Sequence, residues 1–522
     1  MAGVLLVSML VTRAVGLPPI ESVNVDQNRS FTVNGEPFFP IMIWLQDPEN
    51  FPKAQDAGIN TVAGYWPGSG GTKDVVEYVE LVKAAGLYGV PSYHEKLHGH
   101  PSVLGYIHDD EPDLPHQQSD ARVVAGEALR VNRGAPLWKI VDGTTHTWSV
   151  LDPLQDASFT IERPEPVTVH RLGVWLTISP GLAVAREVSF SADGKEIATA
   201  TLKAEKGRQG VPLAEPVSLT VLTVRVDATY PGENVWGSIG EIEGFDAAGK
   251  NVLVAPPRNV PRTLPQKVAQ KYGQMRRADA SRPVFMTVTG NFLPFFDKWT
   301  EEQRAGLYPA YAAATDVLGF DIYPIYGWGR PDWLHLVRDG AAELRRLAGN
   351  RPTYAWIETS KGSQWVSDNN QVPVTAQHIR AEVWMTLCQG AKAIGYFTHI
   401  WKPSYAQFGV PPENVAALRQ INDQITRLTR PLVAPASSRR VSITIEGNVK
   451  ADIRATEPAD ALYLFAVNYD PACKGGPATI RVSGLEAGTR IEVVDEGRTL
   501  QASDGQFTDR FEPLEVHIYR VE

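Results

Sequence analysis

The sequence predicts a multidomain α/β protein: a (β/α)8 TIM barrel that carries one β-sandwich as an insertion and a second β-sandwich at its C-terminal end. Three observations support this fold class. From about Phe39 the chain repeats a short apolar strand followed by an amphipathic helix, and eight such units can be counted. One connection in this series is much longer than the others and lacks helical periodicity. After Pro431 the chain is again rich in strand-forming residues.

The eight repeated units define the barrel. Its strands are predicted at residues 40–45, 60–65, 87–93, 103–109, 284–288, 317–323, 353–358 and 393–398. Helical spacing supports the segments between them, because Val268, Tyr272 and Met275 share one face of a helix. Gly58 and Gly86 stand just before strands, where a helix commonly ends on a left-handed residue. Eight strand-helix units favour a closed barrel over an open sheet.

The long connection follows the fourth strand and is predicted to hold an all-β module. The predicted boundaries are a β segment at 18–38, barrel pieces at 39–136 and 256–432, the insertion at 137–255, and the C-terminal sandwich at 433–522. Without the insertion, the two barrel pieces have about the length of a typical TIM barrel, roughly 250 residues.

The insertion resembles the discoidin-like, coagulation-factor type C domains. The resemblance rests on residues 141–144 (VDGT) with Trp148 soon after, on 191–195 (SADGK) and on 240–245 (GEIEGF). It implies a jelly-roll module of a class that often binds carbohydrate. The alternative is a module that only shapes the barrel mouth, and both interpretations stay open.

Composition narrows the class of partner. The net charge of −9 argues against nucleic acid or an anionic membrane, which would need a basic face, but it is compatible with a neutral substrate. The apolar run at residues 4–11 has the length of a signal-peptide core, so residues 1–17 are predicted to be a leader and the protein to be secreted or periplasmic. No later segment has the pattern of a membrane span, and no cofactor is expected. Cys388 and Cys473 are predicted to be free thiols.

Two glutamates stand where a TIM barrel carries its chemistry, at the C-terminal ends of strands. Glu111 follows the fourth predicted strand and Glu358 ends the seventh. These strands lie on opposite sides of the barrel, so the two carboxyl groups are predicted to face each other across its mouth. Such a pair suits hydrolysis of a glycosidic bond, with one group protonating the leaving oxygen and the other attacking the anomeric carbon.

These strand ends resemble clan A of the retaining glycoside hydrolases, TIM barrels with an acid/base Glu after strand four and a nucleophilic Glu after strand seven. The resemblance covers the barrel and implies that Glu111 is the acid/base and Glu358 the nucleophile. The substrate class that it implies is a β-linked glycan or oligosaccharide, of glucan or galactan type. In the clan an Asn usually precedes the acid/base, whereas Asp110 stands here. This departure leaves the family within the clan unassigned and leaves open whether Asp110 is itself the proton donor.

Further residues at strand ends form a predicted substrate lining. The resemblance implies that the hydroxyl of Tyr323 donates to the nucleophile and that Trp401 forms the floor of the subsite beside the cleavage point. For each residue of this set, core packing or a surface loop is the alternative. The predicted substrate-binding residues are Trp44, Gln46, Tyr65, Trp66, His94, Asp110, Asp321, Tyr323, Trp356, His399 and Trp401.

Two other classes of function are alternatives for this sequence. A metal-dependent hydrolase would use ligands such as His94, His98, His100, His108 and Asp109. Most of these lie in one loop rather than on the first strand, so no metal site is predicted. A non-catalytic carbohydrate-binding protein with a degenerate barrel is the other alternative. The sequence does not indicate an oligomeric state.

Overall fold

The computed structural model describes residues 16–459 and 461–522. They form two compact units, one running to Leu114 and again from Pro261 to Glu522, and the other comprising Pro115–Val260. The predicted leader lies outside the described residues except for its last two. No helix in the described part of the chain combines the length and the apolar character that a bilayer crossing requires.

The first unit opens with a small antiparallel sheet and the first half of the barrel. Asp74 caps α2 (Val75–Ala84) by accepting hydrogen bonds from the backbone N–H groups of Val76 and Glu77, at 2.9 and 3.0 Å. Gly58 and Gly86 have φ values of 76° and 72°, which confirms the left-handed positions predicted before strands. The elements are β1 (Val23–Val25), β2 (Phe31–Val33), β3 (Glu36–Phe38), β4 (Ile41–Trp44), α1 (Phe51–Asp56), β5 (Thr61–Ala63), α2 (Val75–Ala84), β6 (Tyr88–Val90) and β7 (Tyr106–Ile107).

The second unit is all β. Its elements are β8 (Pro115–Gln118), β9 (Arg122–Ala125), β10 (Arg130–Val131), β11 (Ser149–Asp152), β12 (Ser158–Leu176), β13 (Val184–Ala192), β14 (Lys195–Thr201), β15 (Gly207–Tyr230), β16 (Gly237–Phe245) and β17 (Arg258–Pro261). The main sheet has the order β10-β11-β16-β12-β15-β13-β14, with β9 also on β12. Bulges after Glu162 and Val169 interrupt the β12–β15 ladder, and such bulges let long strands curve around a core. That core includes Phe159, Phe190 and Leu222.

The boundaries of this unit differ from the predicted insertion, 137–255. The compact unit runs from Pro115 to Val260, because short strands on either side of the predicted range belong to it. The strand pairing β8–β17 brings the two ends of the unit together.

The chain then completes the barrel with alternating helices and strands. The capping box of Thr300 and Gln303 starts α4 (Glu301–Ala313), and Thr375 with His378 does the same for α6 (Ala376–Cys388). The elements are α3 (Pro265–Ala278), β18 (Val284–Thr289), α4 (Glu301–Ala313), β19 (Val317–Asp321), α5 (His335–Ala348), β20 (Thr353–Glu358), α6 (Ala376–Cys388), β21 (Ala393–Phe397), α7 (Pro412–Arg427) and α8 (Thr429–Val433).

The barrel is an eight-stranded parallel sheet with the order β6-β5-β4-β21-β20-β19-β18-β7. The bridges Gly89–Val103 and Ser92–Ile107 span the remaining gap between β6 and β7, so the sheet closes, although not by a full ladder. Gly395 of β21 allows the Trp356 ring to cross the interior, since a Cβ at this position would lie 2.2 Å from the ring. The predicted TIM barrel is therefore present, and the fourth strand is shorter than predicted.

The C-terminal part of the first unit is a two-sheet β-sandwich. One sheet has the order β22-β25-β28 and the other β23-β24-β29-β26-β27. Leu464, Ile480 and Tyr519 belong to the core between them. Trp384 of α6 stacks on Phe465 at 5.7 Å between ring centroids, so this sandwich packs on the barrel. The strands are β22 (Val441–Ile445), β23 (Ala451–Thr456), β24 (Leu462–Asn468), β25 (Gly476–Val482), β26 (Arg490–Val493), β27 (Arg498–Gln501), β28 (Gln506–Phe511) and β29 (Val516–Val521).

Candidate active site

A cavity of about 700 Å³ lies where the barrel strands end at their carboxyl side. This volume is in the range of pockets that enclose a small ligand. The lining combines six tryptophans with three acidic residues and one arginine, all from the first unit. It consists of Trp44, Leu45, Trp66, Asp110, Glu111, Leu114, Arg262, Thr289, Gly290, Asn291, Phe296, Asp321, Tyr323, Gly327, Trp328, Trp356, Trp365, Phe397, His399 and Trp401.

The three acidic side chains converge within this cavity. The carboxyl of Asp321, at the end of β19, is hydrogen-bonded to the carboxyl of Glu111, so this pair must share a proton. Burial, followed by the charges of Glu111 and Asp110, raises the pKa of Asp321 well above its ordinary value. Burial and the neighbouring Glu111 raise the pKa of Asp110 to about 7. One oxygen of Asp321 is buried without a hydrogen-bond donor among the described residues. The site therefore holds a protonated carboxylic acid near neutral pH.

Arg262 fixes the turn that presents two of these acids. Its guanidinium donates to the backbone carbonyl of Asp110 at 2.8 Å and lies 3.4 Å from Oε2 of Glu111. Glu111 has a φ of 45°, in the left-handed region that non-glycine residues seldom adopt. Strain of this kind is often found at functional sites, where surrounding contacts hold it. The guanidinium of Arg262 thus lies beside Glu111, and Asp321 is the member of the pair whose pKa is raised.

Asp113 supports the same turn from beneath. Its side chain is fully buried. It accepts hydrogen bonds from the backbone N–H and the hydroxyl of Thr289, at 2.8 and 2.6 Å, and from the hydroxyl of Tyr308 at 2.8 Å. Burial raises its pKa to about 6. These bonds tie the segment after β7 to the end of β18, and so help to fix the turn that carries Glu111.

Aromatic rings form most of the cavity wall. Trp44 packs on Trp356 with centroids 5.2 Å apart, and Trp365 lies 5.8 Å from Trp401. Trp365 remains 58% exposed, which is unusual for so large an apolar side chain unless it serves as a contact surface. Flat rings of this kind offer a surface to the apolar faces of sugar rings, while the acids supply polar contacts.

The side chain of Glu358 does not lie where the sequence predicts it. It ends β20 as expected, but it is fully buried and does not line the cavity. Its carboxylate accepts hydrogen bonds from the backbone N–H of Ile325, at 2.9 Å, and of Tyr326, at 2.5 Å, and its side chain contacts Glu382 of α6. The sequence predicts that Glu111 and Glu358 face each other across the mouth, whereas the structure turns the carboxyl of Glu358 away from the cavity, toward Ile325 and Tyr326. The carboxyl that meets Glu111 belongs to Asp321.

Eight of the eleven predicted substrate-binding residues lie in the cavity lining. Trp44, Trp66, Asp110, Asp321, Tyr323, Trp356, His399 and Trp401 line the cavity. Three other residues do not line it. Gln46 is buried and its amide donates to the carbonyls of Trp44 and Gln407, so it joins two loops. Tyr65 packs on Tyr78, and His94 caps a short helical turn by accepting from the N–H of Lys96.

Several lining residues were missed by the sequence analysis. Arg262 follows the last strand of the second unit, and nothing in its local pattern marks it as part of the barrel mouth. Asn291 and Phe296 follow β18, a strand end that the sequence analysis did not examine. Trp328 and Trp365 lie several residues beyond β19 and β20, in loops whose paths depend on tertiary contacts. Inspecting the aromatic residues in every loop after a barrel strand would have identified both tryptophans.

The histidines weighed as metal ligands point to separate partners. Nε2 of His108 lies 3.0 Å from the carbonyl of Ala314, and Nε2 of His98 lies 2.9 Å from the hydroxyl of Tyr93. His100 is paired with Glu80 at 3.1 Å. Within residues 16–459 and 461–522, no three His, Cys, Asp or Glu side chains are arranged to hold a metal ion.

Comparison with known proteins gives no family assignment. No protein-family model matches the chain, and no curated protein matches it. The solved structures described next are distant matches. An Anoxybacillus α-amylase is 11% identical over 50% of this chain and 56% of its own, with a TM-score of 0.35. The α-amylase of Geobacillus thermoleovorans, solved with acarbose, is 12% identical over 50% of this chain and 58% of its own, also at 0.35.

A third match involves carbohydrate-binding modules. The CBM32-1 and CBM32-2 domains of Clostridium perfringens ZmpB, solved with GalNAc, are 16% identical over 26% of this chain and 40% of their own, with a TM-score of 0.21. The chain thus spans between two fifths and three fifths of the three structures named. Scores this low carry no argument about fold or activity, so the proposal that follows depends on the geometry of the site.

Proposed function

We propose that the protein is a glycoside hydrolase whose reacting carboxyl groups are Glu111 and Asp321. The observation that supports this most directly is the hydrogen-bonded carboxyl pair in a tryptophan-lined cavity at the barrel mouth. Glycosidic cleavage requires one carboxylic acid and one carboxylate beside the same bond. Asp321 has the environment of the acid, and Glu111, beside Arg262, has the environment of the carboxylate.

The proposed reaction is a double displacement. The carboxylate of Glu111 attacks the anomeric carbon while Asp321 gives its proton to the leaving glycosidic oxygen, so one C–O bond forms as the other breaks. Water then attacks the anomeric carbon of the glycosyl ester, loses a proton to Asp321 and releases Glu111. Retention is proposed because the two carboxyl groups are in contact. A small movement apart would give the separation of roughly 5 to 5.5 Å that retaining enzymes use, whereas inverting enzymes need about 6.5 to 9.5 Å between the carboxyl groups.

The electrostatics of the pair suit both half-reactions. Burial and the charge of Glu111 keep Asp321 protonated for the first step. Esterification of Glu111 removes that charge, so the pKa of Asp321 falls and its carboxylate can accept a proton from water. The charge of Asp110, with a pKa near 7, adds to the field that acts on Asp321.

The substrate is proposed to be a β-linked glycan or oligosaccharide. The aromatic lining is compatible with the neutral, hydroxyl-bearing rings of a sugar, and the acidic residues of the lining would repel an anionic substrate. A substrate of glucan or galactan type and the export of the protein both stay predictions. Hydrolysis of nitrophenyl β-glycosides, together with a panel of β-glucans and β-galactans, tests the proposal. Absence of turnover on every member, with binding retained, would leave only a carbohydrate-binding protein.

The second unit is proposed to bind carbohydrate as well. It contains a groove of about 650 Å³, lined by Trp148, Trp236, Arg130 and Asp152 among others, and Trp148 is 47% exposed. Exposed rings beside charged hydrogen-bonding groups suit a sugar. Affinity electrophoresis of the full chain carrying W148A, in gels with the same polysaccharides, should show weaker retardation while activity on a nitrophenyl glycoside is unchanged. Equal retardation of W148A and the unmodified protein would support a module that does not bind carbohydrate through this groove.

A further inference from the structure

A second cavity of the first unit lies at the other end of the barrel from the candidate active site. Its volume is about 360 Å³, within the size range of pockets for small ligands. Asn350, just before β20, and Lys392, just before β21, place it at the N-terminal ends of the barrel strands. The reaction proposed above takes place at the C-terminal ends, so it does not use this cavity.

The lining of this cavity is positively charged. Four cationic side chains contribute to it, and the other described residues of the lining are uncharged. The cations are Arg29, Arg345, Lys392 and Arg454. Their hydrogen bonds go to backbone carbonyl groups, and in the described part of the chain none of the four forms an ion pair with a carboxylate. The cavity thus concentrates cations without acidic partners.

Lys392 and Arg454 form the buried side of the cavity. Lys392 is only 2% exposed, and its Nζ donates to the carbonyl of Leu432 at 3.0 Å. The guanidinium of Arg454 donates to the carbonyls of Leu387 and Leu432, both at 3.1 Å. An ammonium group carries three N–H donors and a guanidinium five, so these bonds leave donors of both groups available to a ligand.

Arg29 and Arg345 meet at one carbonyl group. Both guanidinium groups donate to the carbonyl of Gly349, at 3.4 and 2.7 Å. Arg29 has a φ of 64°, in the left-handed region that suits glycine better than arginine. Asp26 stabilises its turn by accepting from two backbone N–H groups, at 2.8 and 2.9 Å. The turn between β1 and β2 therefore places a cation in the lining at a position where glycine would be less strained.

The positive charge of the lining exceeds the negative charge around it. The C-terminal ends of α5, α6 and α8 together contribute at most about 1.5 negative charges. Asp26 is the acidic residue whose charge acts on Lys392, and it adds one more. Burial, followed by the charges of Arg454 and Arg29, lowers the pKa of Lys392 to about 7. Four cations therefore need about 1.5 further negative charges, and a phosphate group carries about 1.5 to 2 near neutral pH.

We propose that this cavity binds a tetrahedral oxyanion, phosphate or sulfate, either as the free ion or as the ester of a small polar molecule. Guanidinium groups bind such oxygens through paired N–H donors, and a lysine adds a point charge. An oxyanion would also stabilise the charged form of the buried Lys392, which is costly without a partner. The side-chain amides of Gln27 and Asn350 supply uncharged donors and acceptors for the hydroxyl groups of an ester.

Isothermal titration calorimetry on the full chain tests the proposal, with sodium phosphate and sodium sulfate as probes at a constant ionic strength of about 0.15 M. We expect one saturable site per chain, with a Kd below about 1 mM for at least one of the two ions. R345Q removes a charged donor and should raise this Kd at least about tenfold. R346Q is the matched control, because Arg346 follows on the same helix but pairs with Glu343 and does not line the cavity. Its Kd should stay within about twofold of the unmodified value.

Glycerol 3-phosphate, with glycerol as its uncharged counterpart, distinguishes the free ion from an ester. Binding of the ester at least about tenfold tighter than phosphate, with no binding of glycerol, would identify an ester as the ligand; a smaller difference would identify the free ion, and both results support the site. Absence of saturable binding for phosphate, sulfate and glycerol 3-phosphate would overturn the proposal, as would equal weakening by R345Q and R346Q. R29Q removes a lining cation from a different element and keeps the test available if R345Q does not fold. None of these measurements depends on glycoside hydrolysis.

Discussion

Substituting Asp321 by Asn tests the assignment of the proton donor. The amide can still donate to Glu111, so the carboxylate is held and the cavity keeps its volume, but there is no proton to transfer. General acid catalysis typically contributes about 10²- to 10⁴-fold in rate. This corresponds to roughly 3 to 5 kcal/mol of the activation barrier. The loss in kcat/KM on an oligosaccharide should fall in that range.

The leaving group distinguishes the acid from the nucleophile. A dinitrophenolate departs without protonation, so D321N should hydrolyse dinitrophenyl glycosides with a first step within about tenfold of the unmodified rate. Azide should then accelerate turnover and give a glycosyl azide of retained configuration. E111Q removes the attacking group and should lose at least about 10³-fold on both kinds of substrate. Equal losses for D321N on the two substrates, or substantial activity in E111Q, would refute these roles.

Four further predictions concern pH, binding, stability and metals. The rate kcat/KM should fall at alkaline pH as Asp321 loses its proton, and D110N should move this limb to lower pH, because the charge that Asp110 acquires above about pH 7 raises the pKa of Asp321; an unmoved limb would exclude Asp110 from the field acting on the acid. W328A should raise KM at least about fivefold with a smaller change in kcat, because the ring contributes binding surface; an unchanged KM would remove Trp328 from the binding surface. The melting temperature should fall as pH rises from 5 to 8, because burial raises the pKa of Asp113 to about 6 and of Glu241 to about 8. A raised carboxyl pKa stabilises the folded state only while the group is protonated. A D113N variant in which the melting temperature has the same slope over this pH range would contradict the account of Asp113. Exhaustive treatment with EDTA should leave the rate unchanged, and loss of activity restored by a divalent cation would revive the metal-dependent alternative.

Periodicity and turn residues were sufficient to predict the barrel. Strand β20 has the predicted limits, and Gly58 and Gly86 have the predicted left-handed conformation. These features depend on local spacing and backbone sterics, which a sequence displays directly. The limits of the second unit were harder to predict, because β8 and β17 are far apart in the sequence and no local pattern reveals that they pair.

The site was predictable only in part, for a similar reason. Glu111 and Asp321 were both singled out because they follow barrel strands. Their direct contact depends on the left-handed turn at Glu111 and on Arg262, which comes from beyond the second unit. Glu358 satisfied the same positional criterion, yet its side chain is turned to Ile325 and Glu382. Strand-end position predicts which residues are near a barrel mouth, but not which of them face it.

Trapping the glycosyl-enzyme intermediate tests the central claim most directly. A 2-deoxy-2-fluoro glycoside with a dinitrophenyl leaving group should label the protein once, and proteolysis with mass spectrometry should find the sugar on Glu111. A label on Glu358 would contradict the present account and restore the pairing that the sequence alone suggested.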